Sequence, residues 1–198
     1  QLYSSFQVDG HTYRNWSRHC TSIVIKHVFA YVDDVYDRKK VRCLQGEATI
    51  MTHLFCDLDL DPARHAMIPE VVFLARSRKS KDDYHANGCN LYLAMQNAGN
   101  KPATAANAGI LADGDREAGS RIVAFRVLRT LEQANRRFRV VHGDLHLENI
   151  LIDDRIAPPR VTIIDWGFGA LQKRKGKATW TADTQQLSLI HISEPTRR

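Results

Sequence analysis

The segment 142–149, His-Gly-Asp-Leu-His-Leu-Glu-Asn, restricts the possible folds of this chain more than any other part of the sequence. Its Asp144 and Asn149 stand five residues apart, and the apolar run that follows is typical of a strand. A second apolar run, 160–165, ends at Asp165, which is followed by Trp-Gly. Two adjoining strands would bring together a carboxylate that can accept a hydroxyl proton and two oxygen ligands of the kind that Mg²⁺ prefers. The pattern therefore predicts a rigid Asp–Asn–Asp site.

Residues 142–149 resemble the catalytic loop of the protein kinase superfamily, because the Asp-to-Asn spacing matches its H-R-D-x-x-x-x-N pattern. Gly143 replaces the Arg of that pattern and His146 replaces the usual Lys, as in related loops of aminoglycoside and choline kinases and of several small atypical or viral protein kinases. Residues 164–167, Ile-Asp-Trp-Gly, resemble the D-F-G metal-binding motif with Trp for Phe. The joint match is specific, and the resemblance covers about residues 3–187.

This resemblance implies an ATP- and Mg²⁺-dependent phosphotransferase that moves the γ-phosphate of ATP to a hydroxyl group. By the resemblance, Asp144 is the catalytic base, Asn149 and Asp165 are the Mg²⁺ ligands, and His142 braces the loop. ATP and Mg²⁺ are the cofactors that it implies.

The same resemblance implies a nucleotide site in the first half of the chain. Lys26, in the run Ile-Val-Ile-Lys, resembles the lysine that binds the α- and β-phosphates. Glu47 is its expected ion-pair partner, with Glu70 as the alternative. Three residues resemble the hinge beside the adenine: Met95, Gln96 and Asn97.

Two parts of the chain depart from the kinase pattern. Residues 3–8 stand at the expected place of the glycine-rich phosphate loop but contain no glycine, although serine N–H groups can still bind phosphate. No A-P-E motif follows Asp165, so a switch by loop phosphorylation is not expected, and residues 181–187 resemble the start of the helix after a shortened segment. Residues 187–198 look like translated sequencing-adapter sequence, so a C-terminally truncated fragment is expected.

Hydrophobic periodicity and turn residues predict the order of the elements. The first half has three predicted strands, at 21–28, 69–75 and 91–95. A helix is predicted at 46–58, and 101–114 is expected to be a connector or a weak helix. Ser120 is expected to cap a long helix, before a short strand at 139–141. The predicted buried stripe of this helix consists of Ile122, Phe125, Leu128, Leu131, Ala134 and Phe138.

Strands with one helix, followed by a mostly helical part, predict an α+β fold of the two-lobed protein-kinase-like type. We expect a β-rich N-lobe that binds ATP over 1–95. The hinge and the first part of an incomplete helical C-lobe are expected over 96–186, and a non-native tail over 187–198.

The composition is that of an ordinary soluble globular protein, with 43% hydrophobic and 25% charged residues. The net charge of +6 is concentrated at 173–177, Lys-Arg-Lys-Gly-Lys, which we expect to be a solvated loop because no aromatic residues interleave for nucleic-acid binding. The four cysteines include no C-x-x-C pair, which favours a reducing, cytoplasmic location. No apolar run reaches the ~18 residues of a membrane span. Nothing in the sequence indicates an oligomeric state.

One alternative is a binuclear metal hydrolase. His142, Asp144 and His146 alternate, so on a strand all three would face one side. That hypothesis requires further ligands downstream, and it leaves Asn149 and the Asp-Trp-Gly motif unexplained.

A second alternative is a catalytically impaired kinase-like binding module. The missing phosphate-loop glycines favour it, whereas the joint presence of the base, the two metal ligands and Lys26 opposes it. The acceptor is open between a protein hydroxyl and a small molecule. Only 49 positions separate Met95 from Asp144, which favours a Ser/Thr protein kinase-like enzyme, whereas the Gly-Asp-Leu-His form favours an aminoglycoside- or choline-type kinase.

Overall fold

The computed structural model describes residues 5–8, 11–14, 22–31, 34–78 and 88–171, with side chains described for 22–31, 34–76 and 88–169. The chain divides into two compact units. The first comprises Gln1–Thr49 and Glu70–Asn97, and the second comprises Ile50–Pro69 and Ala98–Arg198.

The first unit therefore ends at Asn97 rather than at the predicted residue 95, and it omits 50–69. The omitted segment belongs to the second unit because its backbone is bonded there. Ala66 N–H donates to Arg126 O at 3.0 Å, and Met67 N–H donates to Val161 O at 2.7 Å.

The first unit consists of antiparallel strands and most of one helix. A hairpin pairs β1 (Ser5–Val8) with β2 (His11–Arg14). The main sheet has the order β3-β5-β4, from β3 (Ile23–Tyr31), β4 (Val71–Arg78) and β5 (Gly88–Gln96). The central strand β5 is buried along most of its length, as its apolar run predicts. All three predicted strands are confirmed, each with small shifts at its ends.

Helix α1 (Val35–Asp57) begins well before the predicted residue 46. Its first two turns carry mostly charged residues, so hydrophobic spacing alone did not indicate them. The missed signal is Asp34, whose Oδ1 accepts hydrogen bonds from Tyr36 N at 2.6 Å and Asp37 N at 3.1 Å. Such an acceptor satisfies N–H groups that have no partner within the helix.

The second unit begins its helical part after a short strand, β6 (Lys101–Pro102). The segment predicted as a connector or weak helix contains α2 (Ala105–Ala108) and a 3₁₀ turn. Helix α3 (Arg116–Phe138) is capped by Asp115, whose Oδ1 accepts from Glu117 N and Ala118 N, both at 3.0 Å. The prediction that Ser120 caps α3 is wrong, because this residue lies inside the helix and its hydroxyl donates to Arg116 O.

The predicted buried stripe of α3 is also wrong in part. Leu131 and Ala134 are buried, but Phe125 is 51% and Leu128 37% exposed. The buried face instead contains Gly119, Val123, Val127, Thr130, Leu131 and Ala134. Gly119 determines this choice, because a Cβ there would lie 2.0 Å from Ala108 O. Among the described helices, none combines the length and the apolar character required to cross a membrane.

Two small antiparallel sheets among the described residues of the second unit position the candidate site. The sheet β6-β8-β9 contains β8 (Ile150–Asp153) and β9 (Arg160–Ile163), and a separate pair joins β7 (Val140–Val141) to β10 (Ala170–Leu171). The inward side chains of β8 and β9 are fully buried, namely Ile150, Ile152, Val161 and Ile163. The elements are thus those of an α+β fold.

Candidate active site

Two connecting segments of the second unit run side by side between the strand pairs. Residues 142–149 lead from β7 to β8, and residues 164–169 lead from β9 to β10. At one end Val141 pairs with Ala170 in the β7–β10 ladder. At the other end the ladder of β8 and β9 is extended by Ile164 N–H, which donates to Asn149 O at 2.9 Å. The backbone therefore places Asn149 beside the residue that precedes Asp165.

His142 is fully buried and joins these two segments. Its Nε2–H donates to Ile164 O at 2.8 Å, since a carbonyl can only accept. Its Nδ1 accepts from Asp144 N–H at 3.3 Å, and its ring contacts Trp166 at a centroid distance of 4.7 Å. These bonds assign the neutral Nε2–H tautomer to His142. This position of His142 is consistent with the prediction that it braces the loop.

Gly143 permits the close approach of the two segments. Its φ of +82° lies in the left-handed region, and a Cβ at this position would lie 2.6 Å from Phe168 O. Only glycine satisfies both conditions without strain. The glycine that replaces the usual Arg therefore has a structural reason here.

Asn149 is buried, and its amide nitrogen makes two hydrogen bonds. Nδ2 donates to Asp144 O at 2.9 Å and lies 2.9 Å from His146 Nε2. Because both amide hydrogens are used in this way, Oδ1 is the atom of this side chain that can bind a cation.

The backbone of Asp144 is fixed from both sides, while its carboxylate reaches solvent. Its N–H is bonded by His142 and its carbonyl by Asn149, yet its side chain is 42% exposed. The nearest described cation-forming group, His146 Nε2, lies 3.8 Å from Oδ2, which is beyond hydrogen-bond distance. A carboxylate held in this way can accept a proton from a bound hydroxyl group.

Asp165 lies in a turn rather than in the strand predicted over 160–165, because β9 ends at Ile163. Its φ of 60° and ψ of 62° are left-handed, which is uncommon for a residue other than glycine. Such strain persists only where the surroundings impose it. Here the next residue, Trp166, is fully buried, and its Nε1–H donates to Ile163 O at 3.4 Å.

The donor groups fit Mg²⁺, which prefers carboxylate and amide oxygens and is usually held by one or two side chains. Asn149 and Asp165 supply one group of each kind. In the described ranges no three His, Cys, Asp or Glu residues group in a way that could hold a metal. Residues 142–146 do not form a strand, and both ring nitrogens of His142 are already hydrogen-bonded to backbone atoms, one to Ile164 O and one to Asp144 N. This arrangement contradicts the binuclear metal hydrolase hypothesis.

The expected Lys26–Glu47 ion pair is present in the first unit. Lys26 Nζ lies 2.8 Å from Oε1 and 2.9 Å from Oε2 of Glu47. The Glu47 side chain is 2% exposed and that of Lys26 is 36% exposed. The alternative partner, Glu70, has a pKa raised by burial, and its backbone carbonyl accepts from Gln96 N–H. Phosphate binding by Lys26 stays a prediction.

The predicted hinge residues lie at the end of β5. Met95 is buried, Gln96 N–H donates to Glu70 O at 2.8 Å, and Asn97 N–H donates to Ser22 O at 3.0 Å. Their adenine-binding role stays a prediction.

A phosphate loop was predicted at 3–8. Residues 5–8, the described part of that range, form strand β1 instead of a loop. Residues 3–4, the basic run at 173–177 and the predicted tail at 187–198 lie outside the described residues.

The kinase resemblance assigned no role to His146, although the structure places its Nε2 against Asn149. The available signal was its position between the predicted base and the predicted metal ligand, where the protein kinase pattern usually has Lys. The pairing of Asp153 with Arg155 was also missed. Arg155 Nε and Nη2 lie 2.7 Å and 3.0 Å from the two carboxylate oxygens, and this hydrogen bonding lowers the pKa of Asp153.

Residues 92–172 match the model of the Phosphotransferase enzyme family (APH). The matched range contains Asp144, Asn149 and Asp165 and both connecting segments. The match confirms the kinase-like resemblance. With the sheet and helices described above, it also confirms the predicted kinase-like α+β fold.

Among solved structures, the chain is similar to the bifunctional kinase-methyltransferase WbdD, known at medium resolution. The sequence identity is 15% and the TM-score is 0.47, with 84% of this chain and 32% of the WbdD chain covered. This chain therefore spans about a third of the length of that structure. No curated protein matches the sequence.

Proposed function

We propose that this chain carries the catalytic centre of an ATP- and Mg²⁺-dependent phosphotransferase that uses a hydroxyl acceptor. The observation that carries the proposal is that the backbone of Asp144 is fixed by hydrogen bonds while its carboxylate is open to solvent. Its backbone is bonded by His142 and Asn149 beside the segment that leads to Asp165, while its carboxylate remains accessible. A preorganised, solvent-accessible carboxylate next to amide and carboxylate ligands is what phosphoryl transfer requires.

Each residue has a distinct task in this proposal. Asp144 orients the acceptor hydroxyl group and takes its proton as the oxygen attacks the γ-phosphorus, while the bond from that phosphorus to the β–γ bridging oxygen breaks and ADP leaves. Asn149 Oδ1 and Asp165 would hold Mg²⁺, which when bound neutralises charge on the nucleotide phosphates. Lys26, oriented by buried Glu47, binds the α- and β-phosphates, and residues 95–97 form the hinge beside the adenine.

For the acceptor we propose a Ser/Thr hydroxyl group of a protein. The path from the hinge to Asp144 contains only two short strands, β6 and β7, the helices α2 and α3, and a 3₁₀ turn, so few elements are available there to enclose a small molecule. A small-molecule acceptor is the second candidate, and the family match over 92–172 supports it together with the Gly-Asp-Leu-His form of the loop.

The test is transfer of radiolabelled γ-phosphate from ATP with Mg²⁺, using protein and small-molecule acceptors in parallel. Asp144→Asn should lower kcat by about 10²–10⁴-fold with nucleotide affinity nearly unchanged, because general-base catalysis contributes about this much. Glu148→Gln is the matched control, since this carboxylate is exposed in the same loop and should leave kcat within about twofold.

Calorimetry supplies the second measurement. Asp165→Ala should abolish Mg²⁺-dependent nucleotide binding. Undiminished transfer by Asp144→Asn would refute the assignment of the base. Binding of nucleotide by the wild type without transfer to any acceptor would instead support a non-catalytic binding module.

A further inference from the structure

We infer that His146 is a positioning residue that fixes the carboxamide of Asn149 and thereby the direction of the oxygen that would bind Mg²⁺. The inference rests on the proposed function. It is carried by the two hydrogen bonds at Asn149 Nδ2 and by the distance of His146 from the carboxylate of Asp144.

The orientation of the Asn149 amide follows from its first partner. Asp144 O is a carbonyl oxygen that can only accept, so the atom 2.9 Å from it must be the amide nitrogen. The second N–H of the same nitrogen then meets His146 Nε2, also at 2.9 Å. With both hydrogens engaged, Oδ1 projects from the opposite side of the amide.

This geometry also determines the tautomer of the His146 ring. Nε2 must present a lone pair to Asn149, so the ring proton resides on Nδ1. The backbones of the two residues are bonded as well, with Asn149 N–H donating to His146 O at 3.0 Å. His146 Nε2 is 3.8 Å from Asp144 Oδ2, so its hydrogen bond goes to the metal ligand rather than to the base.

The second bond matters because the terminal torsion of an asparagine side chain is broad and roughly two-fold. One bond to Asp144 O leaves the amide free to swing about that contact, whereas two acceptors hold it in one plane. A lysine at position 146 could not replace the histidine, since an ammonium group only donates. Glutamine could replace it in part, because its carbonyl oxygen accepts.

The experiment compares His146→Leu, His146→Lys and His146→Gln in the 198-residue chain. The first measurement is the ¹⁵N NMR signal of the Asn149 side-chain amide, assigned by its loss in Asn149→Ala. The second is calorimetric binding of a non-hydrolysable ATP analogue, with and without Mg²⁺. Urea denaturation verifies that each variant is folded. Leu and Lys at position 146 should lower the unfolding free energy modestly, because they remove the His146 acceptor from one N–H group of the buried Asn149 side chain.

We expect Leu and Lys at position 146 to shift the Asn149 amide signal and to weaken Mg²⁺-dependent binding about 10- to 100-fold, the usual effect of losing a group that orients a metal ligand. Binding without Mg²⁺ should not change, and the Gln variant should recover most of the affinity. In an Asn149→Ala background, His146→Leu should have no further effect on Mg²⁺-dependent binding.

The outcomes separate this inference from the proposed function. An Asn149 amide signal that is unchanged by His146→Leu would overturn the inference alone, as would a Gln variant as weak as the Leu variant. If the wild type bound no Mg²⁺–nucleotide while the amide signal shifted as expected, the proposed function would be refuted, and the role in metal binding with it.

Discussion

The Lys26–Glu47 pair of the first unit and the Asp144 loop of the second unit place their polar groups by different means. Lys26 and Glu47 lie on separate elements, and their side chains form an ion pair. Asp144 and Asn149 lie five residues apart and are held largely by bonds that involve the backbone. Positions fixed by the backbone follow from local spacing, whereas a side-chain pair depends on where two elements that are distant in sequence meet in space.

This difference also predicts how each region responds to substitution. The loop depends on two internal supports, the buried ring of His142 and the absent side chain of Gly143. The pair depends on mutual neutralisation of a buried carboxylate and a partly exposed ammonium group. We therefore expect the largest losses of stability from the supports of the loop.

His142→Ala should cause the largest loss, about 3 kcal/mol of unfolding free energy, because it removes a buried ring and two hydrogen bonds. Urea denaturation measures this. His53→Ala, at an exposed position on α1, is the control and should change stability by less than about 0.5 kcal/mol. Similar small losses in both variants would mean that the loop does not depend on His142.

Gly143→Ala should cost about 2–3 kcal/mol, because alanine adds left-handed strain and a contact with Phe168 O. Gly114→Ala separates the two causes. Gly114 also has a positive φ, of +96°, but nothing lies within 4 Å of its added Cβ, so only about 1–2 kcal/mol should be lost. Equal losses measured for the two variants would show that the close approach to Phe168 contributes nothing.

Lys26→Met should destabilise the protein by about 2 kcal/mol, because it leaves the Glu47 charge buried without its partner. This expected loss of stability is smaller than the loss from breaking a fully buried ion pair, because Lys26 is partly exposed. In a double-mutant cycle with Glu47→Gln, the coupling energy should be about 1 kcal/mol. A loss as large as that of His142→Ala would contradict the contrast between the two regions.

Asp153→Asn should have the smallest effect, about 1 kcal/mol or less at pH 7, because the side chain of its partner Arg155 is 44% exposed. The Arg155 hydrogen bonds lower the pKa of Asp153, so its ionised form stabilises the folded state above the unfolded pKa of about 3.9. That contribution is lost as the pH falls through the lower folded value. Unfolding free energies of wild type and variant should therefore converge below about pH 4, and a difference that grows on acidification would contradict this.

The residues of each motif could be predicted because they lie only a few positions apart along the chain. The loop 142–149 and the strands β8 and β9 follow from spacing and apolar runs. Prediction failed where the local sequence was compatible with two different structures. Helix α3 carries two apolar stripes, and contacts with segments distant in sequence accompany the buried one, namely the close approach of Gly119 to Ala108 and the hydrogen bond from Thr130 to Ala66 O. The start of α1 was missed because a charged first turn resembles a loop until its cap is recognised.

The amino-acid sequence by itself therefore indicated the segments that contain Asp144, Asn149 and Asp165, because the short strands that flank these segments are recognisable from local apolar runs. Only the tertiary structure decided that Glu47 rather than Glu70 pairs with Lys26, since the two partners lie 21 positions apart, on α1 and β3, and residue order does not specify that these side chains meet. It also decided that His146 bonds Asn149 rather than Asp144. That choice depends on the path of the 3₁₀ turn and on distances that residue order does not specify.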